Sequence, residues 1–188
     1  LHTFGDPETI ADASGFSEKR FNDVIKSGRQ KLFMAREARV RPGRDEKILT
    51  SWNALMIRGM ARAGRVLGEP AWIDSAEKSL DFIRSTLWRD DRLLATFKDG
   101  KAHLNAYLDD YAYLIDAILE LLQAHWSDEA LAFAIELAER LLEHFEDERY
   151  GGFYFTSDDH EQLIQRPKPM SDDAMPSGNG IAAFALQR

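Results

Sequence analysis

SWNALMIRGMARAGRVLGEP, residues 51–70, carries apolar side chains at Trp52, Leu55, Met56, Gly59, Met60, Ala63, Val66 and Leu67. This is the spacing of one helical stripe, so a helix over about 51–67 is expected. Gly68 supplies the stop, and Pro70 fits the first turn of a following helix over about 70–87. The two then form a tight helical hairpin.

Working outward, the same arrangement recurs. A helix over about 105–124 shows Leu108, Tyr111, Ala112, Ile115, Ile118, Leu119 and Leu122; another over about 127–146, capped by Ser127, shows Leu131, Ala134, Ile135, Ala138, Leu141, Leu142 and Phe145. Upstream, Phe21, Val24, Ile25, Gly28 and Leu32 mark a helix over about 17–37, and downstream one starts near Ser177 with Ile181, Phe184 and Ala185. Links two-to-three and four-to-five are short, whereas 38–50, 88–104 and 147–176 are long. Two long links suggest β-hairpins: RLLATFKDGKAHL (92–104), turning at Asp99-Gly100, and GGFYFTSDDHEQLIQRP (151–167), turning at SDDH. Alternating short and long links between antiparallel helices are the signature of an α/α toroid. The expected fold class is all-α: about half of an (α/α)6 barrel with small β-hairpin insertions, one partial domain over 1–188. Helices two, four and six form one layer with their starts on one face, and one, three and five cover it.

Composition narrows the function. The chain has 188 residues, 44% hydrophobic, no cysteine and a formal charge of −8. That size supports a core without disulfides, and cysteine-free chemistry excludes thiol redox catalysis. With no basic cluster, nucleic acid is not an expected partner. No apolar run has the length of a membrane span, no secretory leader is evident, and a cytoplasmic location is expected. No spacing suggests a metal loop, and no cofactor is expected.

The three helix starts on the shared face carry polar clusters: RDEKILTSWN (44–53), HLNAYLDDY (103–111) and SDDAMPSGN (171–179). Each one alone has a plain reading, since acids complement the helix dipole. Three together suggest a site. Asp109, Asp110 and Asp172 are the candidate catalytic carboxylates, a buried one serving as general acid. Asp45, Lys47, Trp52, Asn53, His103, Asn105, Tyr111, Ser177 and Asn179 are candidate substrate-binding residues. Several keep a structural alternative: Trp52 as core, Asp109 and Asp110 as caps, Ser177 as helix N-cap with its hydroxyl accepting an amide, His103 as an ordinary loop histidine.

DEKILTSWNALMI, LNAYLDDYAYLIDAILEL, GGFYFT and RPKPMSDDAMPSGNGIAA resemble the C-terminal region of thioredoxin-domain-containing proteins related to the spermatogenesis-associated protein 20 of animals. The resemblance covers about residues 30–188. It implies an (α/α)6 toroid similar to N-acylglucosamine 2-epimerase and six-hairpin glycosidases, partnered with an N-terminal thioredoxin-like domain absent from this chain. The chain departs from the family pattern at Glu46 and Asp173, where Asp and Gly are usual. The implied function is that of a sugar-processing protein, a carbohydrate-acting hydrolase or epimerase; the alternative is a non-catalytic binding or scaffolding toroid. A small carbohydrate is the implied ligand. As three of six hairpins, the piece is expected either to self-associate or to show an unusually large exposed apolar patch.

Overall fold

The structure is a computed structural model that describes residues 6–161 and 164–188. The sequence suggests one domain, and the chain divides into two compact units, Leu1–Asp45 and Glu46–Arg188.

In the first unit, Pro7–Ala13 forms α1, with Pro7 at its first turn and Asp6 Oδ2 accepting from the Thr9 amide at 3.2 Å. Glu18–Glu37 forms α2, matching the helix expected over 17–37 and capped by Ser17. No residue of α2 is buried.

The second unit is a helical layer attached to a small sheet. Ile48–Leu49 is β1, followed directly by α3 (Thr50–Leu67). Gly68 ends α3 with φ 71°, a left-handed value that costs glycine nothing, and Pro70 opens α4 (Pro70–Phe82). The expected helix over 70–87 changes character at its end. Ile83–Leu87 is a π-helical turn, whose wider winding keeps both Ile83 and Leu87 fully buried. The chain then enters β2 (Trp88–Arg89), β3 (Arg92–Lys98) and β4 (Lys101–Asn105).

β3 is the centre of the sheet and pairs antiparallel with β1, β2 and β4. The expected hairpin over 92–104 is present, turning on Asp99 (φ 51°) and Gly100 (φ 77°). A second tight turn links β2 to β3 through Asp90 (φ 50°) and Asp91 (φ 57°). Two successive positive φ values define the type I′ geometry, which favours glycine at the second position. Asp91→Gly is therefore expected to stabilise the chain by about 0.5–1 kcal/mol. Urea unfolding checks this, and unchanged or lowered stability would show that the Asp91 side chain offsets its backbone strain.

The helix expected over 105–124 begins later, as α5 (Leu108–Ala124). Asn105 pairs with Leu94 and the Ala106 amide donates to Leu93 O, so the sheet ladder holds these residues extended. Asp128–Phe145 forms α6, with Ser127 Oγ accepting from the Ala130 amide as expected. Gly178–Ala185 forms α7. Among the described residues, 151–167 contains no strand. Phe153 makes an isolated bridge to Glu146, and Phe155 N donates to Pro167 O. The expected second hairpin is replaced by a loop anchored through its side chains. Arg166 donates to Thr156 O and His144 O, while Lys168 Nζ lies 2.5 Å from Asp147 Oδ2 and donates to Gly151 O.

α5 is the middle of the inner layer, packed against α3 on one side and α7 on the other, with α6 along it; α4 packs on α3. Thirteen of its residues are buried, including Asp110, Asp116 and Glu120. The acids are matched from both sides. Arg58 of α3 lies 2.5 Å from Asp116, Arg65 of α3 lies 3.0 Å from Glu120, and Arg188, beyond α7, lies 2.9 Å from Asp116 and 3.9 Å from Glu120. The apolar core fills the other contacts, with Tyr111, Leu114, Ile118, Phe133, Leu137 and Phe145 among its largest members.

Candidate functional site

The starts of α3, α5 and α7 meet at one end of the layer, as expected. Asp109 and Asp110 are the reason they can. Consecutive helical residues point about 100° apart, so one side chain turns toward each flanking helix.

Asp110 turns toward α3. Its Oδ1 accepts from the Ser51 amide at 2.8 Å and its Oδ2 from the Tyr107 amide at 2.9 Å. One carboxylate thus caps two helix starts, and it is only 4% exposed. Burial nevertheless raises its pKa to about 6, the desolvation outweighing both amide hydrogen bonds, with neighbouring Asp109 adding to the rise.

Asp109 turns toward α7. Its Oδ1 is buried and accepts no hydrogen bond, and burial raises the pKa of the carboxyl group. Gly178 makes this possible, because a Cβ there would collide with Asp109 Oδ1. Tyr113, one turn along α5 from Asp109, donates its hydroxyl to Pro176 O. The Tyr113 hydroxyl is pushed up to about 12, first by burial and then by the charges of Asp109, Asp110 and Asp172. All three candidate carboxylates therefore lie within electrostatic reach of one phenol.

The 169–178 segment closes the other side. Asp172, exposed, accepts from the Ser177 amide at 2.8 Å and so occupies the start of α7. Ser177 is the N-cap residue by position, but its hydroxyl donates to Pro169 O at 3.1 Å instead of accepting an amide. Asn179 is buried and pinned to backbone: Oδ1 accepts from Phe153 N at 2.7 Å, and Nδ2 donates to Phe153 O and Pro169 O. Between these walls lies a cleft of about 270 Å³ lined by Asp109, Ser171, Asp173, Met175, Ser177 and Gly178 among others. Asp173 does not have a positive φ, so the glycine usual at this position is not demanded by the backbone here.

The other candidates are placed elsewhere or otherwise. Tyr111 is fully buried; its hydroxyl accepts from the Leu93 amide and its ring lies 5.3 Å from that of Phe145. It is a core residue, since its place on α5 faces the sheet. Asn105 belongs to β4, not to the helix, for the ladder reason given above. Asn53 donates to Leu49 O at 2.8 Å, bracing the turn from β1 into α3. His103 is exposed on β4 opposite Thr96. Lys47 is exposed just before β1, and Asp45 is exposed at the end of the first unit. Trp52 is not core: it is 62% exposed and, with Leu55, Met56 and Met175, lines an apolar groove. Sequence reasoning missed Tyr113, Ser171, Asp173, Met175 and Gly178. The readable signal was Tyr113, four residues after Asp109 and so on its face of the helix.

Away from the cleft, His144, Asp158 and Asp159 bring three potential ligand atoms within 4.8 Å of one another. His144 Nδ1 lies 2.7 Å from Asp158 and Arg92 Nη2 lies 2.6 Å from Asp159. A guanidinium on one of the carboxylates opposes a cation there.

No family model matches the sequence. Curated relatives do. The chain is 32% identical over 193 residues to human spermatogenesis-associated protein 20, covering 96% of this chain and 24% of the human protein. The rat protein of the same name is 30% identical over 186 residues, covering 93% and 23%. The chain is homologous to spermatogenesis-associated protein 20. It spans about a quarter of the length of these relatives.

Among solved structures, a sugar epimerase from a ruminal bacterium superposes with a TM-score of 0.63 at 17% identity, covering 77% of this chain and 39% of that one. A cellobiose 2-epimerase from Spirochaeta thermophila gives 0.56 at 19%, covering 74% and 36%. These likenesses show the fold, part of an (α/α)6 toroid of the kind found in sugar-processing enzymes. Among the described residues, no helix is long and apolar enough to cross a membrane.

Proposed function

We propose that the chain forms one wall of a carbohydrate-processing site, in which Asp109 is the proton donor. The observation that carries this is the unpartnered, buried Asp109 Oδ1 at the edge of a cleft that also holds the Asp173 carboxylate and Ser171 among Pro169, Ala174, Met175 and Pro176. A carboxyl group with a raised pKa stays protonated further toward neutrality, which is what donation to a glycosidic oxygen requires. In the hydrolytic form of this reading, the Asp109 proton passes to the leaving oxygen as its bond to the anomeric carbon breaks. Water adds to that carbon, and Asp173, the second carboxylate lining the cleft, takes the water's proton.

Titration of the chain with methyl β-glucoside tests the reading by isothermal calorimetry. A partial site is expected to bind at about millimolar strength, near −4 kcal/mol. Affinity falls as pH rises through the raised pKa of Asp109, because the ionised group no longer donates. Asp109→Asn keeps a donor, so it retains affinity and loses the pH dependence, whereas Asp109→Leu abolishes binding. A pH profile identical in wild type and Asp109→Asn would sink the assignment.

A second reading has its own support: Asp110, Asp172 and Asn179 all spend side-chain oxygens on backbone amides. On this reading the toroid is a non-catalytic binding or scaffolding module that works with a thioredoxin-like domain. Full affinity in all Asp109 variants would favour it.

A further inference from the structure

The Asp109 cleft does not stand alone. Met175, which lines it beside Asp109, also lines the apolar groove formed with Trp52, Leu55 and Met56. The groove has a volume of about 350 Å³. Trp52 and Met56 are one helical turn apart on α3, and each is 62% exposed. Met175 is partly buried against the core, and the adjoining Pro176 carbonyl is held by Tyr113, so the wall shared by the two spaces is fixed by α5. A cleft that carries the Asp109 and Asp173 carboxylates and shares its Met175 wall with a wholly apolar shelf matches a ligand that is polar at one end and apolar at the other.

We infer that the site takes a glycoside carrying an apolar aglycone: the sugar occupies the Asp109 cleft and the aglycone lies over Met175 onto Trp52 and Met56. The inference rests on the carbohydrate reading above and adds the substrate class to it. A free sugar uses only half of the surface. An aglycone of four or more carbons covers the thioether of Met175 and the indole face, and its burial supplies affinity that the sugar's own contacts lack. Trp52 has no part in proton transfer, so its removal separates aglycone recognition from the chemistry.

The test compares methyl β-glucoside, hexyl β-glucoside and 1-hexanol binding to the chain by calorimetry, with indole N–H resonances followed by NMR. A fully buried methylene is worth about 0.8 kcal/mol, or roughly fourfold in affinity, and an open groove buries about half of each. Hexyl β-glucoside is then expected to bind roughly 10- to 30-fold more tightly than the methyl compound. Trp52→Ala is expected to remove most of that gain, bringing the ratio of the two affinities to within about threefold. Equal affinity for the two glucosides overturns the aglycone assignment while leaving the carbohydrate reading intact. Hexanol binding as tightly as hexyl β-glucoside overturns it too, since the groove would then be an apolar face indifferent to the sugar. If neither glucoside binds, the carbohydrate reading fails, and the inference with it. An indole shift that depends on protein concentration without ligand assigns the groove to a second copy of the chain and also overturns the proposal.

Discussion

Asp116→Ala is expected to lower the unfolding free energy by about 3–5 kcal/mol. The Asp116 side chain is 2% exposed and is gripped by Arg58 from α3 and Arg188 from beyond α7, so it ties all three inner helices together. Removing it leaves Arg58, one-third exposed, and Arg188, less than a quarter exposed, facing each other across a cavity with their shared countercharge gone and Glu120, 3.9 Å from Arg188, remaining nearby. The loss comes from stranded charge more than from the bond itself, and a companion variant separates the two. Asp116→Met with Arg58→Met restores an apolar contact and is expected to recover most of the stability. Denaturant unfolding of the single and double variants decides it. A single-variant loss below about 1 kcal/mol would mean that water already reaches the acids and that the network contributes no more than a surface pair.

Asp110→Ala comes next, with an expected cost of about 2–4 kcal/mol, because two helix-start amides lose one shared acceptor. Its pH signature is distinctive. The folded-state pKa lies near 6, above the ordinary value of 3.8, so between those values the folded chain binds more protons than the unfolded one. Stability from this group is therefore fully present at low pH and declines as pH rises through about 6, by up to about 3 kcal/mol. Asp110→Asn lacks the titration. The stability of wild type relative to Asp110→Asn is expected to shrink between pH 4 and pH 7, measured by urea unfolding at several pH values. A gap that widens over this interval would show that the two amide bonds overcome burial and hold the carboxylate ionised.

These two acids show how differently sequence speaks at two ends of one helix. Asp116 and Glu120 stand four residues apart in the apolar run YAYLIDAILELL, and Arg58 and Arg65 stand seven apart on α3. Both spacings return a residue to the same helical face, so the ion-pair ladder was legible once the helices were known to be neighbours. Asp109 and Asp110 were legible as a pair but not as individuals. Their spacing says that they diverge by about 100°, and nothing in the local sequence says which neighbour lies on which side.

What the sequence determined by itself is the set of elements and their order. Apolar spacing marked α2, α3, α5 and α6 to within a few residues, Gly68 and Pro70 marked a helix break, and Asp99-Gly100 marked a hairpin. Each of these depends on groups within a turn or two of one another. Alternating link lengths then placed the starts of α3, α5 and α7 at one end, where Asp110 meets Ser51 and Asp109 meets Gly178. Only the tertiary structure decided what each polar residue does there. Whether Asp110 caps or Asp109 waits unpaired depends on amides more than fifty residues away, and Asn179 is consumed by Phe153 and Pro169 from a loop with no regular pattern. Tyr111, expected at the site, and Trp52, for which the core was the alternative reading, are sorted by the same cause. Tyr111 meets β3 and Phe145 and is sealed in the core, while Trp52, at the head of a good apolar stripe, lies beside the α7 approach and stays open. Periodicity reports that a helix has an apolar face, and burial depends on how much of that face the neighbouring elements cover.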